Sequence, residues 1–489
     1  MRDHWKKAGL IGLGAVLGLL LSLNFSAVAQ REAKLPIPYE DLQLLSAVFG
    51  KIKSDYVEPV SDEKLIREAI NGMVRGLDPH SDFLDADAFK ELQVSTQGKF
   101  GGLGIEVGIE DGAVRVISPI EDTPAFRAGI KTGDLIVKID DTATRGMPLS
   151  KAVEKMRGKP GTEVVLTIFR KEVDQPFAVT LLREEINVKS VRAKMLEPGY
   201  GYIRIRNFQE RTSEDLARSL KDFYKQGELK GLVLDVRSDP GGLLNQAVGV
   251  SAAFLPRDAL VVYTDGRTPD ARMRFTASRE SYSRGRGEDW FKDLPAAVKK
   301  VSMVVLVDGG TASASEIVAG ALQDHKRATV MGASTFGKGS VQTILPLGNT
   351  AGLKLTTARY YTPSGRSIQA KGIEPDIHID DGRESPNRIR EANLGGHLET
   401  NRELDKAIRS APPAKGPPGV SIDPVPTPLP TTPKPSGPPE PPLPRFDFGS
   451  VTDDFQLRQA INHLKGEPVV ASIRSQSAAA KTPATAAVK

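Results

Sequence analysis

The residues whose types and spacing best suggest chemistry lie in Gly309–Ile317, which reads GGTASASEI. A strand-like apolar run ends at Val307, the glycines predict a turn, and a helix is predicted to begin near Ser313. A serine at a helix N-terminus lies beside free backbone N–H groups and the positive end of the helix dipole, which together stabilise an oxyanion. Residues Ser313–Glu316 also fit a capping box, a common structural device. The stretch alone therefore leaves a nucleophile and a helix cap both open.

A serine nucleophile requires a base, and the histidines offer weak candidates. His325 lies 12 residues after Ser313, which is about 18 Å along the axis if the helix continues. The other histidines are expected in the N-terminal segment, in turns or beyond the core, at positions 4, 80, 378, 397 and 463. A Ser–His pair is therefore poorly supported, although folding could bring His80 or His378 to the serine.

Lys338 is the alternative base, in a stretch that reads TFGKGSVQ at the start of another predicted strand. To act near pH 7, a lysine must lower its pKa by about three units from about 10.4, at a cost of about 4 kcal/mol. Burial in an apolar site has this effect. Gln342 lies four residues further on, so on a strand both side chains would face the same side, and the amide could orient the amine. A solvent-exposed loop lysine is the other interpretation, and it would be preferred without the serine.

A second constellation indicates a peptide-binding unit. A glycine-rich loop enters a strand, and a helix about 45 residues later can lie beside that strand and form a groove. A peptide could add there as a further strand, with its carboxylate held by backbone N–H groups. The loop, the strand order and Gly129–Ile136 (GIKTGDLI) resemble a PDZ domain. The expected peptide-binding residues are Gly101, Gly102, Leu103, Gly104, Ile105 and Val153, and their apolar members predict apolar C-termini as ligands.

The elements that must position these residues change character along the chain. Buried strands alternating with helices in the core indicate a sheet covered on both faces. The expected class is multi-domain α/β, with a helical N-terminal part, a β-rich PDZ domain with short helices, an α/β core, a Pro-rich spacer and a C-terminal helix. The predicted segments are 35–95 (helical), 98–184 (PDZ), 188–382 with parts of 35–95 (core), 411–445 (Pro-rich linker), 450–466 (helix) and 467–489 (disordered tail).

The N-terminus predicts export. Arg2, Lys6 and Lys7 precede the uncharged run Ala8–Leu23, and Ala27–Ala29 fits a small-x-small cleavage site. Residues 1–29 are therefore interpreted as a signal peptide, and a periplasmic location is expected. An uncleaved anchor is the alternative, but a run of 16 residues spans only about 24 Å as a helix, less than the roughly 30 Å hydrocarbon core.

Composition excludes several classes of protein. The chain has 489 residues, of which 39% are hydrophobic and 26% charged, as in soluble globular proteins. It has no cysteine, which excludes a Cys nucleophile, disulfides and thiolate metal sites. Its net charge of +5, from 66 basic and 61 acidic residues, is too dilute to indicate nucleic acid. No cofactor or metal is expected.

Taken together, the motifs resemble those of the carboxy-terminal processing (tail-specific) serine proteases, a PDZ-containing family of the Ser–Lys type. The resemblance covers about residues 35–380, and the Pro-rich spacer and the tail lie outside it. Ser313 and Lys338 are 25 residues apart, as the motifs require. The motifs that carry the resemblance are Thr311–Glu316, Phe336–Gln342, Leu77–Ser81, Asp235–Gly242 and Tyr361–Gln369.

The resemblance also implies roles for individual residues. Ser313 would be the nucleophile, Lys338 the general base and Gln342 its orienting partner. Glu316 would be a supporting carboxylate, and Asp324 matches an acidic position implicated in some members, although helix geometry separates it from the serine. The oxyanion hole would combine the N–H of Ala314 with that of Gly241 or Gly242.

The function expected on these grounds is a periplasmic serine endopeptidase that recognises exported proteins by apolar C-termini. Two alternatives stay open: a catalytically inactive PDZ adaptor that only binds C-termini, and a Ser–Lys esterase or amidase acting on small substrates. Expected partners are proteins or peptides with apolar C-termini. A homo-oligomer and a periplasmic adaptor are further partners that the sequence leaves open.

Overall fold

The computed structural model describes residues 38–110, 112–120, 122–171, 173–283, 289–348, 351–382, 389–399 and 448–473. The predicted signal peptide, the predicted Pro-rich linker and residues 474–489 of the predicted tail lie outside the described residues. The chain divides into two compact units, Met1–Ile70 and Asn71–Lys489. In the parts of the chain given above, every helix is too short or too polar to cross a bilayer.

The first unit contains helix α1 (Tyr39–Asp55) and the start of helix α2 (Asp62–Arg75). Acidic residues in the first turn of α1 and Lys53 in its last turn complement the helix dipole. The predicted helical periodicity is confirmed, but none of the α1 residues is buried. Its apolar face at Leu42, Leu45 and Val48 is about half exposed, with values of 47–49%.

A compact turn and a short helix follow α2. Strand β1 (Asp82–Leu84) leads into helix α3 (Ala86–Gln97). The carboxylate of Asp85 accepts a hydrogen bond from the Ala88 N–H and caps α3. Strand β1 pairs with a strand more than 250 residues later in the chain, so the turn before it is held against the larger domain.

The predicted peptide-binding unit forms a small sheet closed by short helices. The sheet has the strand order β3-β4-β5-β7-β8, with β6 on β5, while β2 pairs separately with β9. Buried apolar residues of β4, β5 and β7 fill its core, and α5 adds Ala152 and Met156. The elements are β2 (Lys99–Gly102), β3 (Ile105–Glu110), β4 (Ala113–Pro119), α4 (Pro124–Arg127), β5 (Leu135–Ile139), β6 (Thr142–Ala143), α5 (Leu149–Met156), β7 (Glu163–Phe169), β8 (Phe177–Leu182) and β9 (Glu184–Asn187).

The larger domain contains two sheets. One has the order β10-β11-β12-β15-β16-β19 and is parallel from β11 onward; the other has the order β1-β18-β13-β14 with β17 on β18. The elements are β10 (Val191–Glu197), β11 (Tyr200–Ile205), α6 (Thr212–Lys225), β12 (Gly231–Asp235), α7 (Leu244–Phe254), β13 (Leu260–Gly266), β14 (Arg274–Thr276), α8 (Arg279–Ser283), β15 (Ser302–Val307), α9 (Ala314–Asp324), β16 (Thr329–Gly332), β17 (Ser340–Leu347), β18 (Ala351–Tyr361), β19 (Ile377–His378) and α10 (Phe455–Lys465).

Both faces of the parallel sheet are covered, as the continuous apolar runs predicted. Helices α6, α7 and α9 pack with Val305 and Val307 on one face. Helix α10 packs with Val304 and Leu306 on the other. Successive residues of β15 therefore bury their side chains in two different cores.

One expectation about an irregular segment is wrong, and a second polar stretch is more ordered than its composition suggests. This polar stretch, residues 272–283 and 289–292, contains β14 and α8, and Tyr282 is buried with its ring against Trp290 and Phe291. Residues 467–473, expected as the start of a disordered tail, pack against the core instead, where Ala471 and Ile473 form backbone hydrogen bonds with Asp380. In both segments a few apolar side chains are enough to fix an otherwise polar stretch.

Candidate active site

Ser313 lies where the glycine-rich turn after β15 meets helix α9. It is only 3% exposed, and its backbone has φ 57° and ψ −115°, a conformation that costs a non-glycine residue strain energy. The conformation makes Ser313 the N-cap residue of α9. The N–H groups of the first helical turn, beginning with that of Ala314, start immediately beside its side chain.

The loop Ser238–Gly242, here called the oxyanion loop, lies directly against Ser313. The Asp239 carbonyl accepts hydrogen bonds from Ala312 N–H (2.9 Å) and Ser315 Oγ (3.1 Å). Gly241 has φ +98°, and a Cβ there would lie 2.8 Å from both Ala314 N and Ser313 Cβ. Only glycine fits at this position, because both the backbone conformation and the close approach exclude a side chain.

The structure distinguishes between the two glycines expected to supply an oxyanion donor. The Gly241 N–H already donates to Asp239 Oδ1 at 2.8 Å. The adjacent backbone is fixed by Phe208 N–H donating to the Gly241 carbonyl and Leu243 N–H donating to the Phe208 carbonyl. Among the described residues, the Gly242 N–H has no such acceptor, so Gly242 is the better candidate of the pair.

The Glu316 carboxylate connects the serine to the lysine. It is fully buried and accepts backbone hydrogen bonds from Ser313 N–H (2.8 Å), Gly337 N–H (2.7 Å) and Lys338 N–H (2.9 Å). The Thr335 hydroxyl donates a fourth. Burial raises the pKa of Glu316 to about 7, and the four donors oppose that rise. Glu316 thus does more than close a capping box, because one carboxylate binds the backbone of the turn at Ser313 and that of the loop at Gly337 and Lys338.

Lys338 is buried, with only 4% of its surface exposed. Burial lowers its pKa to about 8, and the nearby positive charge of Lys354 lowers it further. The carboxylates of Glu391, Glu316 and Asp78 act in the opposite direction. Most Lys338 amines are then protonated at pH 7, and roughly a tenth are neutral, which is the form that a general base requires.

Tyr360 contacts both loops and was not found by sequence reasoning. Its hydroxyl lies 3.0 Å from Ser313 Oγ and donates to the Lys338 carbonyl at 2.7 Å. Burial raises its pKa well above the usual value, so it stays a neutral hydrogen-bonding group. Its only signal in the sequence is that it directly precedes the motif Tyr361–Gln369.

Gln342 is fully buried beside Lys338, in a different arrangement from the one expected. Lys338 precedes β17, and the pairing of β17 with β18 is irregular between Val341 and Gln342, so the four-residue strand spacing does not apply. The amide Nε2 donates to Ser340 Oγ and Thr356 Oγ1, both at 3.1 Å. Its Oε1 is buried and has no hydrogen-bond partner among the described residues. The Gln342 carbonyl oxygen can therefore accept a hydrogen bond from a donor that approaches it.

His80 and Glu391 form a second buried pair near Lys338. His80 Nε2 lies 2.8 Å from Glu391 Oε2. Glu391 also accepts from Gln369 Nε2 (2.8 Å), while Gln369 Oε1 accepts from Gly339 N–H (2.9 Å). Burial lowers the pKa of His80 and the positive charge of Lys338 adds to this, whereas Glu391 opposes it. The sequence analysis predicted neither the pairing of His80 with Glu391 nor the hydrogen bond between Glu391 and Gln369.

The turn that carries His80 also supports Gln342. Asp78 Oδ1 accepts from the backbone N–H groups of His80 (2.8 Å) and Ser81 (3.0 Å) and from Thr356 Oγ1 (3.0 Å). Thr356 in turn accepts from Gln342. The motif Leu77–Ser81 therefore belongs to the surroundings of the lysine, although it lies more than 250 residues away in sequence.

Four other predicted candidates lie elsewhere. His325 Nε2 is 2.7 Å from the Leu260 carbonyl, and His378 is exposed on β19. Asp324 ends α9 and accepts from Ser364 N–H and the Arg366 guanidinium. Burial favours a higher pKa for Asp324, but its hydrogen bonds and Arg366 hold the pKa below the usual value. His463 lies 3.1 Å from Thr329 Oγ1, on helix α10.

The proposed peptide groove lies between β3 and α5. Ile105 and Val153 are partly buried and pack against the core of this domain, which includes Leu103. Gly101 and Gly102 differ from the expectation of an open loop, because both belong to β2 and pair with β9. The loop reduces to Leu103 and Gly104, whose carbonyls accept from Ala125 and Ile120 N–H groups. Among the described residues, no backbone carbonyl outside a helix or strand accepts a hydrogen bond from the Leu103 or Gly104 N–H group.

Comparison with known proteins identifies three matching families. Peptidase family S41 matches residues 199–379, the PDZ domain matches 101–181, and the activating protease CtpB N-terminal domain matches 16–88. A carboxy-terminal-processing protease of Bartonella bacilliformis is 44% identical over 408 residues, covering 81% of this chain and 90% of that protein. The carboxy-terminal processing protease CtpB of Bacillus subtilis is 37% identical over 339 residues, covering 68% and 67%.

A solved photosystem II D1 C-terminal processing protease has 30% sequence identity and a TM-score of 0.38, covering 69% of this chain and 86% of that one. The family rests on the curated relatives, which match over nearly their whole length in the first case and two thirds in the second. The chain therefore belongs to the carboxy-terminal-processing proteases of peptidase family S41 and is a serine-type peptidase with a PDZ domain.

Proposed function

We propose that this protease is exported, holds protein substrates by an apolar C-terminus in its PDZ domain, and cleaves them with Ser313 as nucleophile and Lys338 as general base. The observation that carries the Ser–Lys assignment is the Glu316 carboxylate, which accepts backbone hydrogen bonds from both residues. A buried carboxylate with four donors fixes the two loops relative to each other. Such fixed geometry between nucleophile and base is what acyl transfer requires.

The reaction follows from the arrangement of these groups. Neutral Lys338 takes the proton of Ser313 as Oγ attacks the scissile carbonyl. The resulting oxyanion is stabilised by the N–H groups of Ala314 and Gly242, and the lysine ammonium then gives its proton to the leaving amine. Water, activated by the same lysine, hydrolyses the acyl-enzyme and releases the second product.

The test compares single-residue variants on one protein substrate. Ser313→Ala and Lys338→Ala should each lower cleavage by about a thousandfold or more, since nucleophile and base act as a unit. Ser251→Ala is the matched control, because Ser251 is a buried serine whose hydroxyl donates to the Ala247 carbonyl of its own helix. The substrate is β-casein extended by a Val-Leu-Ala tail, and circular dichroism verifies the fold of each variant. Substantial cleavage by a folded Ser313→Ala protein would overturn the assignment.

The base has a recognisable pH signature. With the pKa of Lys338 near 8, kcat/KM should rise as pH increases through about 8 and reach a plateau above it, because the amine must be neutral. Lys338→Arg should be inactive, since a guanidinium stays protonated. The rise of kcat/KM with pH, here called the acidic limb, should persist in His325→Gln and His378→Gln, because these side chains lie away from Ser313 and Lys338. Loss of limb and activity together in either would transfer the base role to that histidine.

Substrate choice is tested on the tail alone. Apolar side chains at Ile105 and Val153 line the proposed groove, so a terminal Asp or Lys should be bound less well than a terminal Ala or Val. Cleavage rates of otherwise identical casein substrates measure the preference. Equal rates for apolar and charged tails would exclude the PDZ domain as the selector. An inactive adaptor would bind the apolar tail without cleavage, and an esterase would cleave activated esters but leave casein intact.

Export is proposed from the signal-peptide pattern of residues 1–29, and the periplasm is the proposed compartment. Cell fractionation with N-terminal sequencing of the mature protein tests it, since cleavage after Ala29 is expected. Retention of the N-terminus in the membrane fraction would favour the anchor. Self-association and a periplasmic adaptor stay predictions, and light scattering of the purified protein tests the first.

A further inference from the structure

The segment 448–473 lies beyond the matched family region, which ends at residue 379, yet it forms part of the protease core. Helix α10 buries its apolar face against β11, β12, β15 and β16. The side chains in this contact are Phe455, Leu457, Ala460 and Ile461 from the helix and Tyr202, Val233, Val304, Leu306 and Met331 from the sheet. Without these helix residues, one whole face of the sheet would lose its cover of apolar groups.

The first residue before this helix enters a buried network of charges. Asp454 accepts two hydrogen bonds from the Arg237 guanidinium, at 2.9 and 2.6 Å. Arg237 also makes bonds of 3.0 and 2.7 Å to Asp235, which belongs to β12. Gln456 adds a third acceptor at 3.0 Å. Arg237 is thus fixed on one side by its own strand and on the other by the C-terminal segment.

Arg237 immediately precedes the oxyanion loop. The next residue, Ser238, has a strained φ of 55° and is bonded through its N–H and hydroxyl to Asp308, at 2.8 Å each. Three residues later, Gly241 lies against Ser313 with no room for a Cβ. A shift of Arg237 is therefore transmitted over a few covalent bonds to a loop that tolerates very little displacement.

We propose that Asp454 is a positioning residue for the oxyanion loop, so that the C-terminal segment completes the active site instead of ending in a passive tail. This inference rests on the proposed role of Ser313. Removing the Asp454 charge leaves the buried guanidinium with one carboxylate fewer, and its preferred position changes. The proposed PDZ groove is lined by residues of a separate apolar core, so its substrate contacts should not depend on this pair.

The experiment uses the full chain with Asp454→Asn, and Asp453→Asn is the matched control. Asp453 is the neighbouring residue, is exposed, and accepts a hydrogen bond from the Ser450 hydroxyl. With the tailed β-casein substrate at a temperature well below unfolding, Asp454→Asn should lower kcat about tenfold or more and leave KM within about twofold, because an oxyanion contact acts in the transition state. The control should match the wild type in both constants.

A second measurement separates positioning from general loosening of the fold. The peptide aldehyde acetyl-Leu-Leu-leucinal forms a hemiacetal with a serine nucleophile and places an oxygen in the oxyanion site. Its inhibition constant should weaken in Asp454→Asn by about the same factor as kcat falls. If Asp454→Asn does not fold, Arg237→Lys replaces it, because lysine keeps the charge but cannot bridge both carboxylates.

The outcomes are distinguishable. Wild-type kcat and aldehyde affinity in folded Asp454→Asn, or in folded Arg237→Lys, would overturn the inference while Ser313 stays in place. A fall in kcat without weaker aldehyde inhibition would also overturn it, because the oxyanion site would then be intact. Failure of Ser313→Ala to lose activity and aldehyde inhibition would instead overturn the proposed function.

Discussion

The two sides of the proposed active site, around Ser313 and around Lys338, differ in where their supporting residues come from. Ser313 is held by segments close to it in the fold of the matched S41 region: the turn after β15, helix α9 and the oxyanion loop. Lys338 is surrounded by residues that are distant in sequence, namely Asp78, His80 and Glu391. Glu316 and Tyr360 connect the two sides.

The difference has a physical reason. A nucleophile needs a strained backbone and nearby N–H groups, which one strand–turn–helix unit provides by itself. A lysine that acts as a base needs to be buried, and burial requires several elements to close around it. Ser313 itself is therefore presented by a local structure, to which the fold adds the oxyanion loop, whereas nearly everything around Lys338 comes from the tertiary structure. The predictions below alter one side at a time.

The largest effect is expected from Gly241→Ala on the serine side. The substitution combines a backbone at φ +98° with a Cβ that meets Ala314 N at 2.8 Å, so the oxyanion loop must move. We expect kcat to fall by about a hundredfold or more. Gly227→Ala is the matched control, since it has φ +135° but open space around its Cβ; it tests backbone strain alone. Comparable losses in both variants would mean that strain, and not the close approach, is responsible.

A smaller effect is expected from Tyr360→Phe, which removes the hydroxyl that contacts both sides. Ser313 Oγ and the Lys338 carbonyl each lose a partner, and kcat should fall about tenfold to a hundredfold with little change in KM. Tyr361→Phe is the matched control: the next residue is equally buried, and its ring stacks on Tyr263. Equal activities of the two variants would remove Tyr360 from the site.

The electrostatics of the lysine side predict shifts of opposite sign. The Glu391 carboxylate raises the pKa of Lys338, so Glu391→Gln should move the acidic limb of kcat/KM to lower pH. Lys354 lowers that pKa, so Lys354→Met should move the limb to higher pH. The pH profiles of the two variants, beside Glu374→Gln at an exposed position, check both signs. If the acidic limb of kcat/KM stays at the same pH in both Glu391→Gln and Lys354→Met, the titration of Lys338 does not determine that limb.

The smallest effect is expected from Asp324→Asn. Asp324 is bonded to Ser364 and Arg366 at the far end of α9, so its loss should change kcat less than about threefold while lowering the melting temperature by a few degrees. Kinetics and calorimetry on the same preparation measure both. A loss of kcat similar to that of Tyr360→Phe would return Asp324 to the catalytic residues.

The sequence was sufficient where a function depends on a short segment. Ser313 with its glycine-rich turn, the strands of the PDZ domain and the apolar strands of the core are encoded by patterns a few residues long. Lys338 was proposed as the base from one motif in which glycines flank it. The family resemblance then linked these segments, and the curated relatives bear it out.

Tertiary structure decided what depends on closure of the chain. Residues far apart in the chain, such as His80 and Glu391, meet beside Lys338 although 311 positions separate them. Asp454 reaches Arg237 across 217 positions. No local period encodes such contacts, because they depend on the register of whole elements across a sheet. The sequence by itself determined the chemical groups and the local turns that present them; only the tertiary structure determined the burial that lowers the pKa of Lys338 and the contacts that fix the oxyanion loop.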